Sequence, residues 1–87
     1  MQDIFEEPVS ALFSYNAKTQ AIMPRKMVWK GREYTFTKLG YHHTVRIGRI
    51  LNHIFHVTDG TNDYRLRVNT ETLEVVLEDV YHDRLTA

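Results

Sequence analysis

Five histidines, His42, His43, His53, His56 and His82, are the side chains of this 87-residue chain with the widest chemical reach. Two or three imidazoles converging from one side make a zinc site. Neighbouring residues of a strand point to opposite faces, so His42 and His43 diverge. His53 and His56, three apart, diverge as well; their spacing would suit a helix, but the surrounding pattern is extended. No metal centre and no cofactor are expected, and His53 is read as a core-edge residue with its ring nitrogens hydrogen-bonded.

Catalytic chemistry finds little else to work with. There is no cysteine, which removes disulfides, thiolate metal sites and a thiol nucleophile. The only serines, Ser10 and Ser14, sit in an alternating segment and not in a G-x-S-x-G turn. "DGTND" (59–63) carries two carboxylates, but a calcium loop of the EF-hand type needs a longer pattern closed by a bidentate acid. Turn formation accounts for all five of those residues. No phosphate-cradling glycine motif is present. An enzyme is not expected.

Binding chemistry is better represented. The formal net charge is zero, yet charge is distributed in blocks. Residues 1–16 sum to −3, residues 17–56 to +7 and residues 57–87 to −4. Either the acidic ends fold against the basic middle, or the middle forms a surface for a polyanion. The densest part is "KLGYHHTVRIGR" (38–49), with Lys38, His42, His43, Arg46 and Arg49 around Tyr41. Single-strand binders combine a basic track with aromatic platforms in this way. Lys30 and Arg32, beside the only tryptophan, extend the candidate set.

The elements that must hold these residues are strands. In "VSALFSY" (9–15), Val9, Ala11, Phe13 and Tyr15 share one face at a period of two, and "NAKTQ" (16–20) reads as a turn. Residues 26–30 form a strand that breaks at Gly31, with Met27 and Trp29 facing the core. Residues 33–39 form the next, with Tyr34 and Phe36 on one side. Residues 49–58 form another. Pairing Phe55 with Leu66 and Val57 with Tyr64 puts Leu51 and His53 inside and buries more apolar area. A shift of one residue puts Ile50, Ile54 and His56 inside instead, and the pattern leaves the choice open. A tight turn over 69–72 pairs Val68 with Leu73 and Leu66 with Val75, and sets Arg67 opposite Glu74. No stretch carries a helical stripe. The expected fold is all-β: one domain over residues 1–87, a small barrel or roll of about six antiparallel strands in a meander, SH3-like or OB-like. Its ends are expected to fray near 1–5 and 82–87.

Three segments, "EEPVSALF", "PRKMVWKGREYTF" and "YRLRVNTETLEVVLEDV", resemble a family of small bacterial domains of unknown function. The likeness spans roughly residues 6–80, and its most specific element is W-x-G-R-x-Y: Trp29, Gly31, Arg32 and Tyr34. Val76 stands where the family pattern would have a second tryptophan. Some relatives neighbour genes of error-prone DNA polymerases, which implies nucleic acid or a protein of nucleic-acid metabolism as partner. The resemblance transfers no functional residue.

These readings converge on a non-enzymatic binding module that takes single-stranded nucleic acid through its basic centre. The competing expectation is a protein-binding module or homodimer that uses an exposed strand edge. No membrane span is expected, and the acidic opening lacks a secretory pattern, so a cytoplasmic location is expected.

Overall fold

Alternating apolar residues and short polar turns produce eight antiparallel strands in the computed structural model, which describes residues 2–81, with side chains from Glu6 onward. They are β1 (Gln2–Pro8), β2 (Ser10–Asn16), β3 (Ala21–Trp29), β4 (Arg32–Thr35), β5 (Lys38–Ile47), β6 (Ile50–Thr58), β7 (Asp63–Asn69) and β8 (Val75–Tyr81). The all-β expectation holds. The strands form two sheets, one in the order β1-β8-β7-β6-β5 and one in the order β2-β3-β4. Neither sheet closes on itself. The expected fraying of 82–87, and His82 with it, lies outside the described residues. At the other end, Gln2–Pro8 pair with β8, a strand that the periodicity did not reveal.

Two short corners join the sheets. Val9 N–H donates to Val75 O at 3.0 Å, where β1 turns into β2. Phe36 N–H donates to Arg25 O at 2.8 Å and Thr37 N–H to Thr58 O at 2.8 Å, where β4 turns into β5. Backbone groups that a sheet corner would leave unpaired are thus satisfied.

The core lies between the sheets. Met27 and Phe36 meet Phe55, Val57, Tyr64, Leu66, Leu77 and Val80, all at most 2% exposed. Burial of side chains this size contributes roughly 1.5–3 kcal/mol each. Aromatic contacts line the layer: Phe13 meets Phe55 edge-on at 5.6 Å, and Tyr64 lies 5.4 Å from Phe36 and 5.9 Å from Tyr34. Val9 and Phe13 pack against this core as expected, whereas Tyr15, expected beside them, is 64% exposed. Trp29 packs on the core from its rim.

Turn chemistry sets the registers. Lys30 (φ 52) and Gly31 (φ 75) form a two-residue turn between Trp29 and its partner Arg32. Two positive φ angles in succession are the signature of a type I′ hairpin turn, so Gly31 makes the turn. Gly48 (φ 64) opens the Gly48–Arg49 turn between Ile47 and Ile50.

The β7–β8 hairpin corrects the sequence expectation. Val68 pairs with Val75 and Leu66 with Leu77, so the strand is displaced by two residues from the expected register. The cause is a longer turn. Asn69 Oδ1 accepts from the Glu71 and Thr72 amides at 2.8 and 3.1 Å, and Leu73 takes φ 66. Asn69 N–H then closes the loop on Glu74 O at 3.0 Å. Leu73 is left 73% exposed, and Arg67 lies opposite Val76 and not Glu74. A bulge between Arg65 and Leu66 on this hairpin brings Arg65 opposite Asp79.

For β6, whose register the pattern left open, the structure sets Phe55 opposite Leu66 and Val57 opposite Tyr64. The other face of β6 is buried too: Asn52 is 3% and Ile54 4% exposed. A strand with both faces covered explains why two registers looked similar in sequence.

Candidate functional site

Segment 38–49 forms edge strand β5 and the turn into β6, and the β5–β6 hairpin holds most of the candidate binding residues. Its register sets Tyr41 opposite His56, His42 opposite Phe55, His43 opposite Ile54, and Thr44 opposite His53. Alternation then sorts four histidines into two cross-strand pairs on opposite faces.

On the face turned to the three-stranded sheet, His42 Nε2 lies 2.8 Å from His53 Nδ1. The His42 ring also stacks on Phe55, with centroids 4.3 Å apart and planes 13° apart. Burial, then the neighbouring His53 and His43, push the His42 pKa below the ordinary histidine range. His53 lines a cleft of about 350 Å³ between the sheets, together with Phe13, Ile22, Phe55, Val68 and Leu73. One polar ring thus stands at an otherwise apolar wall.

The opposite face carries a cluster of three mutually adjacent rings. Tyr41 stacks on His43 at 4.9 Å and His43 on His56 at 5.6 Å, while Tyr41 also lies 5.7 Å from His56, its partner across the strands. Tyr41, the most exposed of the three, is 59% exposed. Burial, followed by His43 and Arg65, lowers the His56 pKa, while Asp79 and Asp63 act in the other direction. Beyond His56 lies an ion-pair group. Arg65 Nε meets Glu78 Oε1 at 2.9 Å, and its Nη2 meets Asp79 Oδ2 at 3.0 Å. Arg67 pairs with Glu78 and, at 3.6 Å, with Glu6.

The remaining candidates divide by place. Lys38 begins β5 and borders a hollow with His56, Asp63 and Tyr81. Arg46 lies opposite Leu51 near the far end of β5, and Arg49 sits in the turn. Lys30 and Arg32 belong to a different turn, between β3 and β4. There the Lys30 ammonium lies 5.1 Å from the Trp29 ring centre, and the Arg32 guanidinium 6.0 Å from that of Tyr34. The hairpin thus collects Lys38, Tyr41, His42, His43, Arg46 and Arg49, but splits them between two faces.

Sequence reasoning compared histidines along one strand and missed their meeting across strands. A signal existed: placing the turn at Gly48–Arg49 puts Thr44 opposite His53 and brings His42 diagonally to it. Among the described residues, no group of three or more His, Asp or Glu side chains converges as a metal site. No helix is long and apolar enough to cross a membrane. No family model, no curated protein and no solved structure matches the chain.

Proposed function

We propose that this chain is a non-enzymatic binding module that takes single-stranded nucleic acid on the β5–β6 hairpin. The observation that carries the reading is the make-up of that hairpin at the sheet edge. Residues 38–58 contain no Asp or Glu, and they present the Tyr41, His43 and His56 ring cluster with Lys38 at one end of the strand, Arg46 on the other face and Arg49 in the turn. A base stacked on the exposed Tyr41 ring adds to this cluster, at roughly 1–3 kcal/mol per base, while the cations follow the phosphates around the strand edge. The scaffold is read as a small bent barrel. The corner hydrogen bonds at Val9, Phe36 and Thr37 support that reading, because they carry the pairing from one sheet to the other.

Fluorescence anisotropy with a labelled oligothymidine tests it. Three phosphate contacts give a salt slope near −2, so affinity falls about twentyfold between about 50 and about 200 mM salt. The Arg46→Glu, Arg49→Glu double variant abolishes binding and keeps the fold; Tyr41→Ala weakens it at both salt concentrations. Absence of binding at low salt, or binding indifferent to salt, rejects the reading.

A second reading rests on a separate observation. β5 is the last strand of its sheet and, among the described residues, pairs only with β6. Val45 and Ile47 on it are 39% and 49% exposed. A free edge flanked by apolar side chains accepts a strand from a protein partner or from a second copy. Sedimentation with a concentration-dependent mass, unaffected by nuclease, favours this reading.

A further inference from the structure

We propose that His42 and His53 form a two-imidazole site for one divalent d-block cation, such as Zn²⁺, Ni²⁺ or Cu²⁺. The inference stands apart from the nucleic-acid reading, because the two rings lie on the opposite face of the hairpin from Tyr41, His43 and His56.

The geometry points to it in three ways. First, His42 Nε2 and His53 Nδ1 approach to 2.8 Å. Two imidazole nitrogens bound to one ion at about 2.0–2.1 Å stand roughly 2.9 Å apart at a right angle and roughly 3.4 Å apart at the tetrahedral angle of zinc. The pair has only to part by about half an ångström or less to chelate the ion. Second, both rings are held before any ion arrives. The hairpin register fixes their backbones, and His42 is stacked face to face on Phe55, itself 1% exposed. Little rotamer freedom is lost on binding. Third, the donors suit the ion: imidazole favours Zn²⁺, Ni²⁺ and Cu²⁺ over Mg²⁺ or Ca²⁺.

Without metal, the short contact is a hydrogen bond in which one ring donates and the other accepts. A cation takes the place of that shared proton. The donor ring moves its proton to its other nitrogen, and each ring stays neutral with one N–H. No third His, Asp or Glu side chain converges there among the described residues. The remaining coordination positions therefore belong to water or to a ligand in the adjoining cleft, as at open zinc sites.

Titration of the full chain with Zn²⁺, and with Mg²⁺ as control, tests the site by calorimetry and by imidazole nitrogen NMR. One Zn²⁺ is expected per chain, with shifts at His42 Nε2 and His53 Nδ1 and a rise in Tm that scales with zinc concentration. His42→Ala and the more conservative His53→Gln each weaken Zn²⁺ at least about tenfold. The His43→Ala, His56→Ala double variant leaves affinity within about twofold, since those rings face away. The wild-type NMR readout stands even if a variant fails to fold. Absence of Zn²⁺ binding, shifts confined to other histidines, or equal response to Mg²⁺ overturns the proposal.

Discussion

Trp29 Nε1 donates a hydrogen bond to Glu7 Oε2 at 2.9 Å, joining residues 22 positions apart and tying β1 to the β3–β4 hairpin. The indole lies against the core on one side, and its polar edge meets a carboxylate on a partly buried rim. Hydrogen bonds to a charged acceptor contribute about 1.5–3 kcal/mol, so this one matters in a domain of thin core. Glu7→Ala is expected to lower the unfolding free energy by about 1–2 kcal/mol. Trp29→Phe loses the bond and some packing, for about 2–3 kcal/mol. In urea denaturation, a double-mutant cycle near zero coupling would remove the bond from the account.

Gly31 is the position in the W-x-G-R-x-Y element where backbone conformation decides the residue. At φ 75 nothing lies within 4 Å of an added Cβ, so any cost of Gly31→Ala is conformational. The left-handed region costs a non-glycine residue about 1–2 kcal/mol. The expected loss is of that size, with unchanged near-ultraviolet circular dichroism. A neutral substitution would mean the Lys30–Gly31 turn is not held as a type I′ turn.

His56 makes stability depend on mild acid. Burial, His43 and Arg65 depress its folded pKa below the unfolded value of 6.5. Between those two values the unfolded chain binds a proton that the folded chain does not. The contribution is therefore complete above about pH 6.5 and is lost as pH falls toward the folded value. Denaturation in chelator at about pH 7.5 and about pH 5.5 should show the higher stability at the higher pH. His56→Gln should reduce the difference; an undiminished difference in that variant would assign the effect elsewhere.

Glu78 is expected to be far more sensitive than an acid on the exposed surface. It accepts from both Arg65 and Arg67, and its side chain is 11% exposed. Removing one member of a buried ion group costs about 3–5 kcal/mol, tempered here because Arg65 is 36% exposed. Glu78→Gln is expected to cost about 2–3 kcal/mol. Lys26 and Glu33, joined at 3.3 Å with 44% and 63% exposure, offer the contrast. Lys26→Ala should cost under about 1 kcal/mol. Equal effects at the two sites in chemical denaturation would contradict the burial argument.

Much of the fold was written in local pattern. Period-two alternation located most of the strands from Val9 onward, though not β5, and apolar matching favoured Phe55 against Leu66 without settling it. These features depend on neighbours a few residues apart, or on one face being apolar. The β7–β8 register escaped because Asn69 supports either a short or a long turn, and only the closed loop selects the long one. That choice gave Arg67 to Glu78 in place of Glu74.

The candidate sites divide the same way. Sequence alone determined that the centre of the chain is basic, rich in histidine and extended. Only the tertiary structure decided which rings meet. A strand shows its own alternation but not its neighbour, so the pairing of His42 with His53, and of Trp29 with Glu7, arises from contacts between distant segments. Such contacts form when a whole sheet packs and each register becomes fixed by burial.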